Sequence, residues 1–226
     1  MSFAQIWTPV SLTLSLATIN TLILLVLGTP IGWWLARSKS RYREAIGALV
    51  SMPLVLPPTV LGFYLLIALG PNGPGGWIAG LWGGRTLAFS FTGLIIGSML
   101  YSLPFMVQPL RNGFAAIGND ALEVASSLGA SNWQRFWRVA LPLARPGYVT
   151  GGLMTFAHTV GEFGVVLMIG GNIPGETKVI AIALYDYVER LQWGEAHLVA
   201  LGLVTFAFLI LAVTLMIDRR IQLPLS

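Results

Sequence analysis

Five stretches of this 226-residue chain are each long and apolar enough to cross a bilayer, and no other feature limits its fold so tightly. A spanning helix needs about 20 mainly apolar residues. The windows are residues 9–36, 45–69, 87–110, 147–169 and 197–217, and the only Asp, Glu, Lys or Arg inside any of them is Glu162. Hydrocarbon offers no partner to a bare backbone N–H or C=O, so spans are helices or closed barrels. Barrel strands are short and alternate in polarity, whereas these windows are long and continuously apolar. The expected fold is an all-α membrane protein with a single transmembrane domain over residues 1–226. Composition agrees. Charged residues make up 10% of the chain, against about 25% in soluble domains, and the mean hydropathy is +0.76. The absence of cysteine excludes disulfides and thiolate metal sites. The first charge is Arg37, so no basic leader region precedes the first window, and that window is expected to remain in the mature protein.

The basic residues set an orientation. Arg37, Lys39, Arg41 and Arg43 follow the first window. Arg111, Arg135, Arg138 and Arg145 follow the third, and Arg219 and Arg220 follow the fifth. The other face has Arg85, Lys178 and Arg190. Basic loops stay in the cytoplasm, so the N-terminus is expected outside and the C-terminus inside. The surplus of positive charge is therefore a topology signal and not a sign of nucleic-acid binding.

Several windows carry helix-breaking or small residues. Pro53, Pro57 and Pro58 fall in the second, where each removes a backbone donor and kinks or unwinds the helix. Gly28 and Gly32, Gly93 and Gly97, and Gly147 and Gly151 have the spacing that lets helix backbones approach closely. This is packing within a bundle, and the second span also suits the wall of a path that changes shape.

Between the third and fourth windows lies a cytoplasmic insert, residues 111–146. Asp120 and Glu123 have the spacing of a capping box, which predicts a helix over 121–128 presenting Ala121, Ala125, Ser126 and Ser127 to a groove in a cytoplasmic partner. Gly129, after Leu128, is placed to end it in a left-handed conformation. Ser131 and Gln134 repeat the spacing and open a second helix, whose Trp133, Arg135, Phe136, Trp137 and Arg138 suit the membrane interface.

Glu123-Val124-Ala125, Leu128-Gly129-Ala130, Leu141-Pro142 and Arg145-Pro146-Gly147 resemble the EAA motif of ABC importer permeases. Val124 stands where the motif has its first Ala. PLVLPPTVLGFYLL (53–66), GEFG (161–164) and NIPGET (172–177) are similar to molybdate importer permeases. Sulfate and tungstate permeases share part of this pattern, and His158 stands where the family carries Arg. The resemblance implies a type I (MetI-like) importer architecture in the bacterial inner membrane, multi-pass. It implies a coupling helix, with Asp120, Ala121, Glu123, Ala125, Ser126, Leu128, Gly129, Ala130, Leu141 and Pro142 in or beside it, seated in a cleft of an ATPase subunit. A homodimer of the permease, two cytoplasmic ATP-binding subunits and an extracytoplasmic oxyanion-binding protein would complete the assembly. ATP and Mg would be bound by the ATPase partner and no cofactor by this chain.

Within the fourth window, a carboxylate in hydrocarbon must face the bundle interior and be paired or neutral. His158, one turn before Glu162, is the expected contact. Pro57, Pro58, His158 and Glu162 are candidates for the path or its gate, with a structural lock and a metal or proton site as alternatives. Asn172, Pro174, Gly175, Glu176 and Thr177 are candidates for docking the binding protein, and Val179, Ile180, Ala183, Leu184, Tyr187 and Leu191 fall near helical spacing, which predicts a helix lying over the pore mouth where that protein docks. The chain has no GxxxxGK[ST] phosphate loop and so is not itself the ATPase. A stand-alone transporter or channel is the rival class. It would need internal repeats or several intramembrane charges.

Overall fold

The computed structural model describes residues 3–222. All regular structure among them is helical. Helix α1 (Phe3–Arg37), α5 (Phe91–Ala116) and α12 (Trp193–Gln222) are long and uninterrupted. Between them lie α2 (Arg43–Ser51), a 3₁₀ turn (Met52–Leu54), α3 (Pro58–Leu69) and α4 (Pro74–Gly80). After α5 come α6 (Asn119–Ser127), α7 (Asn132–Arg135), a π turn (Phe136–Ala140), α8 (Leu141–Leu143), α9 (Arg145–Gly161), α10 (Gly164–Gly170) and α11 (Ile180–Glu189).

Three helices are long and apolar enough to cross a membrane, and up to five spans result if each bent pair counts as one. The second window is the pair α2–α3, bent by 104°, and the fourth is the pair α9–α10, bent by 59°. The bend in the second follows from Pro57 and Pro58, which cannot donate to the preceding turn. The break in the fourth corrects the expectation of a continuous helix through Glu162. Gly161 and Gly164 flank the break, and glycine is the weakest ordinary helix former. The short α4 was not anticipated; its glycine-rich sequence gives no helical periodicity.

Helix α5 is the centre of the bundle, packed by α1, α9 and α10. Small residues bring the backbones together. A Cβ on Gly28 or Gly32 would lie 2.9 Å from Met106 Cγ or Leu110 Cβ of α5. One on Gly147 would lie 2.6 Å from the Pro109 carbonyl oxygen, so α9 touches the main chain of α5. Two apolar cores result. Leu16, Leu65, Leu94, Val165, Val166, Ile169 and Ile182 form one, where α1, α3, α5, α10 and α11 meet. Leu24, Met106, Leu110, Phe114, Ala140 and Ala144 form the other, beneath the insert. Side chains such as Val26 on α1 and Leu201, Val204 and Phe208 on α12 stay exposed. Such continuous apolar surface is a liability in water and the normal lining of a helix in lipid.

Candidate functional site

The insert forms a short rod on a stiff mount. Helix α6 starts at Asn119 with Gly118 as its N-cap and no side-chain cap, so the expected Asp120–Glu123 capping box does not form. The reason lies in Arg37. Its guanidinium donates to Asn119 Oδ1 at 3.0 Å, to the Phe114 carbonyl at 3.0 Å and to the Ile117 carbonyl. This clamp ties the ends of α1 and α5 to the start of α6 and begins the helix ahead of Asp120. Asp120 then sits in the first turn, where its charge complements the helix dipole.

The exposure of α6 also differs from expectation. Ala121 and Leu122 pack on the core, and Ala125 is half-buried, while Glu123, Val124, Ser126, Ser127 and Leu128 are exposed. The outward face is thus Glu123, Val124 and Leu128 with two serines, and Leu128 is 83% exposed. Gly129 ends the helix at φ +81°. Its N–H donates to the Ser126 carbonyl at 2.9 Å and that of Ala130 to the Ala125 carbonyl at 3.0 Å, which is a Schellman closure. The capping box of Ser131 and Gln134 is present in both directions. Beyond it, Leu141 N–H reaches back to the Phe136 carbonyl in a widened turn ahead of Pro142, which has no N–H to give. Ala140 and Ala144 are fully buried, which fixes this end of the insert to the bundle.

A second locus forms where the two bent pairs cross. Pro57 is the N-cap of α3 and Pro58 its first residue. A Cβ on Gly164, the first residue of α10, would lie 2.7 Å from Pro58 Cβ. Four residues on, one on Gly62 would lie 2.7 Å from Met168 Cβ. The two breaks therefore abut, and they bring Pro57, Pro58 and the Glu162 segment together although about a hundred residues separate them. Glu162 caps the end of α9 in extended backbone, φ −68° and ψ 128°, and is 3% exposed. Ser98 of α5 faces it, at a geometry that completes no hydrogen bond. Both carboxylate oxygens lack a hydrogen-bond partner among the described residues.

The expected His158–Glu162 contact is not made. Because the helix ends between them, the i, i+4 relation is lost and His158 turns to α5. Its Nδ1 pairs with Ser102 Oγ at 3.0 Å, and its ring stacks on Phe105 with centroids 3.9 Å apart. Ser102 also meets Thr159 Oγ1 at 3.1 Å, and Asn20 Nδ2 donates to Thr159 Oγ1 at 2.7 Å. His158 thus belongs to a polar network linking α1, α5 and α9. No group of three or more His, Cys, Asp or Glu that could hold a metal occurs among the described residues.

The third locus is the loop before α11. Thr177 is fully buried. Its hydroxyl donates to the Gly170 carbonyl at 2.7 Å and accepts from Ile173 N–H at 3.2 Å, which shapes the Asn172–Thr177 turn. Asn172, Pro174, Gly175 and Glu176 are its exposed rim, and Ile173 between them is half-buried. Asp186 organises what lies around it. It pairs with Lys178 at 2.5 Å and Arg190 at 3.0 Å and accepts from Asn172 Nδ2 at 3.2 Å. Burial works against its charge, but Lys178, Arg190 and Asn172 outweigh burial and hold the carboxyl below its ordinary value. Sequence reasoning missed this centre. The Asp186–Arg190 spacing of four was the available signal. Helix α11 buries Ile180 and Ala183 as expected and also Ala181 and Ile182, while Leu191 is 68% exposed. Its start is tied to α1, with Ile180 N–H donating to Thr13 Oγ1 at 2.8 Å.

Comparison with known proteins places these loci in context. The chain is 56% identical over 217 residues to the molybdenum transport system permease protein ModB of Azotobacter vinelandii, covering 96% of each. Its fold is similar to a chain of a bacterial alginate ABC transporter solved in complex with an alginate-bound periplasmic protein, with TM-score 0.75, 17% identity and coverage of 97% and 80%. It is also similar to a chain of the MetNI methionine ABC transporter in an inward-facing conformation, with TM-score 0.74, 20% identity and coverage of 98% and 100%. Residues 28–223 match the model of the binding-protein-dependent transport system inner membrane component, and the chain belongs to that family.

Proposed function

We propose that this chain is the membrane-spanning permease subunit of an ABC importer for molybdate. The observation that carries this reading is the 56% identity, over 96% of both chains, to a molybdenum transport permease. In this reading five spans cross the membrane, the bent pairs α2–α3 and α9–α10 counting as one each, with the N-terminus outside and the C-terminus in the cytoplasm. Two copies enclose the path, two ATP-binding subunits power it, and an extracytoplasmic oxyanion-binding protein delivers the substrate. ATP and Mg belong to the ATPase, and this chain carries no cofactor.

Its own residues divide the work. Helix α6 docks in the ATPase with Glu123, Val124 and Leu128 outward, and the Schellman closure at Gly129 keeps it short and rigid. The Arg37 clamp and buried Ala140 and Ala144 pass its displacement to α1, α5 and α9. The abutting breaks at Pro57–Pro58 and Glu162–Gly164 are where the helices change direction, and they form the gate. His158 steadies the path wall through Ser102. Asn172, Pro174, Gly175, Glu176 and Thr177 present the docking turn for the binding protein, held by Asp186.

The test is uptake of labelled molybdate in cells lacking this chain and complemented with it. Uptake should depend on the chain and on ATP, and excess sulfate should leave it intact. Uptake that sulfate abolishes would reassign the substrate. Reporters fused after Lys39 and after Gly73 should read cytoplasmic and extracytoplasmic respectively, and the reverse pattern would invert the orientation.

A further inference from the structure

Two cavities meet beside the coupling insert. The first, of about 460 Å³, has a mixed lining, with Arg37, Lys39 and Arg135 in its wall together with one carboxylate, Glu123. The second, of about 600 Å³, is apolar, with Trp33, Trp133, Phe136, Trp137, Leu141 and Tyr148 among its walls. Trp33 and Asn132 belong to both, so the cavities adjoin. The basic side chains are incompletely used. Arg37 Nε and Arg135 Nε are buried and have no hydrogen-bond partner among the described residues. A guanidinium pairs strongly with an anionic acceptor.

From this geometry we infer a binding site for an anionic phospholipid of the adjacent leaflet, with its phosphate among Arg37, Lys39 and Arg135 and an acyl chain along the Trp33–Phe136–Tyr148 groove. An amphipathic anion matches both halves. An acidic side chain of a protein partner would satisfy the cations and leave the aromatic groove empty. Trp and Tyr gather where headgroups meet hydrocarbon, and basic residues there attract anionic lipid. The groove runs from α1 to the insert, so a lipid in it would brace α6 against the bundle. The site rests on the permease reading only for which leaflet it faces.

The experiment uses the intact transporter complex in nanodiscs of phosphatidylglycerol mixed with phosphatidylcholine, with lipid retained on detergent extraction measured by mass spectrometry. Wild type should retain phosphatidylglycerol in preference to phosphatidylcholine. Lys39→Gln and Arg135→Gln should each weaken that retention about fivefold, the weight of one basic side chain at an anionic surface. Arg37 is left in place because it also clamps α6. Trp133→Ala/Trp137→Ala should lower retention of both lipids at unchanged thermal stability. Equal retention of the two lipids by wild type, or no change in either charge variant, would overturn the site. Displacement by millimolar inorganic phosphate would reduce it to a free-anion site. A Trp133→Cys cross-link between two copies would show a second chain in the groove instead. Loss of molybdate uptake is a separate readout and bears on the permease reading alone.

Discussion

The helical backbone is interrupted at Gly129 and again at Glu162–Phe163, and the two interruptions end in opposite states. At Gly129 the last carbonyls of α6 are capped by Gly129 and Ala130, the next helix is capped by Ser131 and Gln134, and a Cβ there would meet nothing within 4 Å. At Glu162 the break is buried against Pro58, and a carboxylate and the Ser98 hydroxyl are left without hydrogen bonds among the described residues. The exposed break is complete in itself, so its shape does not depend on the bundle. The buried one depends on its neighbours for position and leaves polar groups to be satisfied some other way. A part that transmits force benefits from the first arrangement, and a part that must change partners benefits from the second.

That contrast can be broken at its tightest contact. Gly164→Val sets a branched side chain against the rigid Pro58 ring. Overpacking of this kind costs about 1–3 kcal/mol. For a chain of this size that lowers the unfolding midpoint by roughly 2–4 °C per kcal/mol. Thermal unfolding in detergent should show the drop, with loss of folded protein in the membrane, and an unchanged midpoint would mean that the two breaks do not bear on one another.

Glu162→Leu sharpens it. Ser98 faces it but completes no hydrogen bond to lose, so exchanging the carboxylate for an apolar group of similar size should leave abundance near wild type. Molybdate uptake should fall about tenfold or more, within the range of coupling energies that link distant sites. Reduced abundance with normal uptake per molecule would instead make Glu162 a structural lock.

At the exposed break, Gly129→Val forces a β-branched residue to positive φ, at about 1–3 kcal/mol. Abundance should hold, because the position is open, while the ratio of uptake to ATP hydrolysis in the assembled complex should fall by about fivefold. A normal ratio would remove α6 as the coupling element.

The smallest effect concerns Asp186. Its folded-state carboxyl lies below the ordinary value of about 4. It therefore contributes stability above that pH and loses it as pH falls through the lower folded value. The unfolding midpoint should be flat from neutral to mildly acidic pH and drop in strong acid. Asp186→Asn should lower the neutral midpoint slightly and blunt the acid drop, and an identical acid limb in both proteins would mean the pair with Lys178 contributes nothing.

Much of this was legible in the chain. Three of the apolar windows as single long helices, the proline break in the second, Gly129 as a helix terminator and the Ser131–Gln134 cap follow from local chemistry, and each appears in the fold. The Asp120–Glu123 box failed because its competitor, Arg37, lies 82 residues from Asn119 in sequence. The His158–Glu162 contact failed because i, i+4 spacing carries meaning only inside a continuous helix, and the break is supported by Pro58 from another part of the chain.

By itself, then, the sequence determined the membrane class, the positions of the apolar segments and the exposed caps, because bilayer thickness and backbone hydrogen bonding act over a few to about 20 residues. Only the tertiary structure decided which breaks abut, where Arg37 and Asp186 find their partners, and that the Glu162 carboxylate completes no hydrogen bond among the described residues. Those are contacts between distant segments, and they form only when helices approach through glycine and small-residue faces, a geometry that no local pattern encodes.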